Sequence, residues 1–180
     1  MSMEKNERSG SFCMDRREFL LTGTGAVATT FLLSVPGVKG LVEAAGVGYP
    51  KKKIGKISEL KNDVPVLFSY PFNDIYSQNL LIKLGLPAFG GAGKGQDIVA
   101  FNTLCTHMGG LITKYNAEHK VLGACPLHLS TFDPRRHGMV VSGHGTSDLP
   151  QIVLEVKGDD IYATGIIGLV FGKTDNLMKA

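Results

Sequence analysis

Residues 105–110 read "CTHMGG" and residues 125–133 read "CPLHLSTFD", placing Cys105 one residue from His107 and Cys125 two residues from His128. The chain has three cysteines in all, so two of the three stand in these paired spacings. Two thiolates with two imidazoles restrict what can be held to zinc or an iron–sulfur centre with mixed ligands. Structural zinc sites separate paired ligands by two to four residues, because the chain must curl both onto one ion. The gap between Cys105 and His107 is too tight for that. If the cysteines serve one metal and the histidines another, each stretch gives one ligand to each metal and a one-residue gap is natural. A nucleophile with its base is the enzymatic alternative for a single Cys/His pair, but it does not account for two pairs.

Outward from these stretches, short apolar runs recur: "VPVLFSYP", "NLLIKLG", "DIVAFNT", "KVLGA", "GMVVSG" and "QIVLEVKGDDIYATG". Their length, β-branched content and punctuation by Gly, Pro, Asn and Asp predict strands of an antiparallel sandwich or barrel. The clearest hairpin turns at residues 158–160. Both Cys/His pairs begin at or just after strand ends, so two loops at one end of an all-β scaffold close on one object. Composition agrees: 23 glycines, no tryptophan and 19% charged residues suit a loop-rich β protein better than a helix bundle. The net charge of +3 is too weak to point to nucleic acid, and the lysines of residues 51–53 read as solvated surface. The glycine-rich residues 85–97 lack the Lys-Ser/Thr of a phosphate loop and read as a surface loop.

The N-terminal 44 residues are expected to lie outside the fold. Arg16 and Arg17, followed by Phe19, Leu20 and an apolar stretch broken by Gly and Thr, form a twin-arginine export signal. From Leu20 to Val35 the stretch is about 16 residues, shorter than the ~20 of a spanning helix. Cleavage is therefore expected near Ala44, and membrane association only if the signal is retained. Residues 45–54 form a flexible lead, residues 55–175 the domain and residues 176–180 a tail. Cys13 leaves with the signal, so only Cys105 and Cys125 could form a disulfide in the mature protein. Export in the folded state suits a protein that acquires its metal before it crosses to the periplasm.

The two boxes resemble those of Rieske 2Fe-2S proteins, usually C-T-H-L-G-C and C-P-C-H-G-S. The resemblance implies a Rieske-type antiparallel β sandwich or barrel with a two-loop cluster-binding subdomain. It also implies one 2Fe-2S cluster held by Cys105, His107, Cys125 and His128. Within that superfamily "YNAEHK", "FDP" and "SDLPQIVLEV" resemble the small subunit of arsenite oxidase. That implies an electron relay between a large molybdopterin-containing subunit and a soluble carrier such as cytochrome c or an azurin-like copper protein. A Rieske subunit of a quinol-oxidising complex and a zinc-stabilised binding module are the alternatives. The first would favour a retained anchor.

Further expectations follow from the resemblance. Gly110 and Leu127 stand where many Rieske proteins place a disulfide, so cluster ligation, packing of Met108 and Leu127, and a partner subunit are expected to hold the loops. Ser130 stands where a serine hydroxyl reaches a bridging sulfide. Phe132 stands where high-potential members use a tyrosine toward a ligand sulfur, so one of two tuning bonds is missing. His144 and Pro150, in the covering loop, are expected to shield the centre. His119 and His137 are expected to be exposed turn residues. The second ring nitrogens of His107 and His128 are expected to couple electron uptake to proton uptake at alkaline pH.

Overall fold

The computed structural model describes residues 48–177. The expected export signal lies outside the described residues, as does the end of the tail. Ten strands follow in order: β1 (Lys52–Lys56), β2 (Val66–Ser69), β3 (Gln78–Lys83), β4 (Ile98–Asn102), β5 (Tyr115–Asn116), β6 (Val121–Leu122), β7 (Thr131–Asp133), β8 (Met139–Ser142), β9 (Gln151–Lys157) and β10 (Asp160–Ile167). They form a six-stranded sheet in the order β1-β10-β9-β4-β3-β2 and a four-stranded sheet in the order β5-β6-β7-β8. Every pairing within the two sheets is antiparallel. The small sheet is therefore an insertion between β4 and β9 of the large one, and the expected all-β fold with a separate two-loop subdomain is present.

The apolar runs in β3 and β4 explain how the two sheets join. Side chains alternate across a strand, and here both faces are covered. Leu81, Ile98 and Ala100 pack with Tyr70, Ile152, Ile161 and Ala163 on one face. Leu80, Ile82, Val99 and Phe101 pack on the other with Ile112, Leu122, Phe132 and the two cysteines of the insertion. A strand buried on both faces reads as a continuous apolar run rather than an alternating one. Each of these Leu, Ile, Val and Phe side chains contributes about 1.5–3 kcal/mol on burial. The core of the large sheet thus continues into the subdomain.

The hairpin of β9 and β10 turns as the sequence indicates, with Lys157 opposite Asp160. The lysine-rich lead is less free than its composition suggests. β1 occupies Lys52–Lys56 and pairs with β10, with Lys53 Nζ 2.6 Å from the Asp160 carboxylate and Lys52 Nζ donating to the Ser69 carbonyl at 2.7 Å. A second tie joins the sheets from outside. Lys120 Nζ lies 2.6 Å from each carboxylate oxygen of Asp63 and 3.2 Å from the Leu84 carbonyl, while Tyr115 Oη donates to Asp63 at 2.8 Å.

Candidate metal centre

Three loops build the site. The first leaves the end of β4, where the Asn102 side chain donates to the carbonyls of Tyr76 and Gln78 at 2.8 and 3.1 Å and accepts the Leu104 N–H at 3.0 Å. That anchor sets the direction in which the chain enters residues 105–110. The loop closes on itself: Cys105 N–H donates to the Gly110 carbonyl at 2.9 Å and Gly109 N–H to the Cys105 carbonyl at 2.8 Å. The second loop, between β6 and β7, repeats the scheme. Leu129 N–H donates to the Cys125 carbonyl at 3.0 Å and Cys125 N–H to the Ser130 carbonyl at 2.9 Å. The third loop, between β8 and β9, is tied to the first by reciprocal hydroxyls: Thr106 Oγ1 donates to the Ser147 carbonyl and Thr146 Oγ1 to the Thr106 carbonyl, both at 2.8 Å.

These loops bring the four sequence-selected donors together. Cys105 and Cys125 are buried, not joined by a disulfide, and in contact with each other. The His107 and His128 rings lie 4.7 Å apart between centroids, at 72° to one another. His107 is half-buried and His128 exposed, so the sulfurs face inward and the imidazoles outward. The donor chemistry fits a cationic group between them. Burial foremost, and then the second sulfur, pushes the Cys105 thiol above its usual value, while the His107 backbone N–H and the Ser130 hydroxyl act the other way. A buried thiolate pair needs a compensating positive charge. Loss of solvent first, and then the neighbouring His128 and His144, holds His107 below the usual imidazole range, which keeps a nitrogen lone pair available. His107 Nδ1 is shut off from water with no hydrogen-bond partner, an orphan that metal ligation would satisfy.

Zinc fits less well. A tetrahedral zinc site gathers its donors on one ion. Among the described residues no three His, Cys, Asp or Glu side chains form such a group. Two donors per metal, sulfur on one side and nitrogen on the other, ask for no triple.

The surroundings sharpen some expectations and revise others. Ser130 is fully buried; its Oγ accepts the His144 N–H at 3.0 Å, and its hydroxyl acts on Cys105 to lower the thiol's value. Phe132 is buried in the cluster of side chains that includes both cysteines. His144, which sequence spacing does not link to the pairs, stands with its ring 5.4 Å from His107 and 6.2 Å from His128. Pro150 instead is buried at the head of β9, its carbonyl accepting the Asn102 N–H at 2.8 Å. His119 and His137 are exposed turn residues. Met108 and Leu127 are 58% and 54% exposed, so packing by these two contributes little to holding the loops. The hydroxyl ties of the third loop and the core contacts of the cysteines do so instead. Gly110 lies against the second loop: a Cβ there would stand 2.7 Å from Cys125 Sγ and 2.9 Å from Leu127 Cγ.

Comparison with known proteins gives a consistent picture. The family model of the Rieske [2Fe-2S] domain matches residues 77–153, a span that contains all three loops. The iodate reductase subunit IdrB of Pseudomonas sp. (strain SCT) is 56% identical over 161 residues, covering 89% of this chain and 83% of that protein. Its counterpart from Denitromonas iodatirespirans is 55% identical over 166 residues, covering 91% and 87%. The soluble domain of Rieske protein II from Sulfolobus acidocaldarius has the same fold, with a TM-score of 0.60 at 22% identity over 70% of this chain and 82% of that one.

These relatives correct the assignment to the small subunit of arsenite oxidase. Both IdrB chains match nearly the whole length, and the motifs behind the arsenite expectation lie in scaffolding. "YNAEHK" spans β5 and its turn, "FDP" lies in and after β7, and "SDLPQIVLEV" leads into β9. Such segments report the shared fold and carry no information on what a partner subunit converts.

Proposed function

This chain belongs to the Rieske [2Fe-2S] proteins, in the branch of the iodate reductase subunits IdrB, and on that footing we propose that it relays electrons to a larger catalytic subunit that reduces iodate or a kindred oxyanion. The observation that carries this reading is 56% identity sustained over 89% of the chain. Cys105 and Cys125 would hold one iron, and His107 and His128 the other. Bound there, a 2Fe-2S cluster supplies one-electron chemistry at a potential set by its ligands and their hydrogen bonds. The residues of this chain do the rest. The buried cysteines keep water from the sulfurs, Ser130 donates a hydrogen bond toward them, Phe132 withholds one, and the outward imidazoles offer the short path to a redox partner.

A reductase consumes electrons, so the soluble carrier, such as a cytochrome c or an azurin-like copper protein, is the donor rather than the acceptor. Export through the twin-arginine signal of residues 1–44 would place the protein in the periplasm with its centre already inserted. The test uses the complex purified from its own host. A dithionite-reduced sample should show a Rieske electron paramagnetic resonance signal that disappears on addition of iodate. A Cys105→Ser complex should lack the signal and lose carrier-driven iodate reduction. A native protein without that signal, or unimpaired reduction by the variant, would sink the reading.

A further inference from the structure

The turn between β7 and β8, residues 134–138, lies at the opposite end of that hairpin from Ser130 and His144, and it carries chemistry the relay does not use. Arg135 and Arg136 line an open cleft of about 300 Å³ with Phe89. The single carboxylate between the arginines is that of buried Asp133. Its closest approaches to Arg135 Nε and Arg136 Nη1 are 3.7 and 3.9 Å, beyond hydrogen-bond length. It accepts the Arg135 backbone N–H instead, at 2.8 Å. Arg135 Nε is left without a hydrogen-bond partner and out of reach of water. Two guanidinium groups sharing one carboxylate through long ion pairs, with their side chains 41% and 61% exposed, leave the cleft with a net positive charge.

Beside them Phe89 is 65% exposed, yet it is held in place. Its N–H donates to the Arg135 carbonyl at 2.9 Å, its carbonyl accepts Gln151 Nε2 at 3.1 Å, and its ring stacks on His137 at 5.7 Å. Gln151 Oε1 fixes that imidazole in turn, 2.7 Å from His137 Nδ1. A pre-set aromatic ring next to undersatisfied arginines is the composition of an interface hot spot, and its rigidity lowers the ordering cost of binding.

We infer that this cleft docks an acidic segment of a partner protein, a carboxylate entering between Arg135 and Arg136 while a neighbouring apolar side chain covers Phe89. A free oxyanion would engage the arginines and leave the ring unused. Docking here grips a partner at a distance from His107 and His128 and leaves the outward imidazoles open. The inference does not depend on the identity of the catalytic subunit.

The test titrates ¹⁵N-labelled holoprotein with the peptide Glu-Glu-Leu-Glu-Glu, with its glutamine counterpart and with acetate, and reads amide shifts. The acidic peptide should move Phe89, Arg136 and His137 in a saturable, salt-sensitive way. Arg136→Glu, an exposed position, should weaken binding at least tenfold with the visible spectrum of the protein unchanged. The glutamine peptide should produce no saturable shift. Shifts spread over the lysines of β1 with none at the cleft would overturn the inference. So would equal affinity in Arg136→Glu, equal binding of the glutamine peptide, or saturation by acetate at the concentration that suffices for the peptide.

Discussion

At Ser130 a tuning role for one side chain can be put to the test. Because its oxygen accepts the His144 N–H, the hydroxyl proton is free to point at Cys105 sulfur, and a donor there favours the electron-rich state. A hydrogen bond of about 1 kcal/mol corresponds to roughly 40 mV for one electron. Ser130→Ala should lower the reduction potential by that order in a redox titration. Phe132→Tyr should raise it, since a phenol in the buried cluster that holds both cysteines adds a hydrogen-bond donor there. If neither variant moves the potential, these residues do not tune the centre. Gly143 is a hidden partner of Ser130. It has φ +90°, and a Cβ would lie 2.5 Å from Ser130 Cα and 2.9 Å from Ser130 Oγ. Gly143→Ala should lift the third loop off the serine and reproduce the Ser130→Ala shift, whereas Gly110→Ala, crowding Cys125 Sγ directly, should reduce iron content instead.

Between elements, the Asp63–Lys120–Tyr115 network ties the loop before β2 to the β5–β6 turn. The Lys120 ammonium foremost, with help from the Tyr115 hydroxyl, holds the Asp63 carboxyl below its usual range. A depressed folded-state value means the tie contributes fully above the ~3.9 of an unfolded aspartate and is lost as pH falls through the lower, folded value. Asp63→Asn should therefore cost about 1 kcal/mol at neutral pH. The gap in melting temperature between wild type and variant should close below about pH 4; a gap independent of pH would dissociate the network from acid stability. This tie is not legible in the sequence, because Asp63 and Lys120 meet only once two sheets are assembled. The family resemblance, and not spacing, is what sets His144 in the covering loop; its ring stands 5.4 Å from that of His107. By contrast β3 and β4 could be read directly, since burial on both faces writes an unbroken apolar run. The strands β5 and β7 are two and three residues long, too short to show a period, so "FDP" read as a motif rather than as an element. The four donor residues stood out because their chemistry is rare and their spacing tight, which does not require knowing where the strands lie.

At the scale of the molecule, the cluster loops sit at the end of a core that runs unbroken from the large sheet through Phe101 and Leu122 to the two cysteines. Metal binding to such a site is linked to folding, because the donors converge only in the native state. Here no covalent clamp joins the first and second loops, since Gly110 and Leu127 face one another where a disulfide would stand. Leu127, Leu129 and Met108 all remain more than half exposed around the imidazoles. Opening of the two loops wets the buried cysteines, but with no covalent clamp and with an exposed rim its free energy is low compared with global unfolding. A catalytic partner seated on that apolar rim would add buried area and raise the cost of opening. On warming, the isolated protein should lose its visible cluster absorption before its β-sheet circular dichroism. Within the complex the two should be lost together, at a temperature several degrees higher. Equal cluster retention with and without the partner, measured at one protein concentration and ionic strength, would show that the loops are held from within and that the exposed rim contributes nothing to their closure.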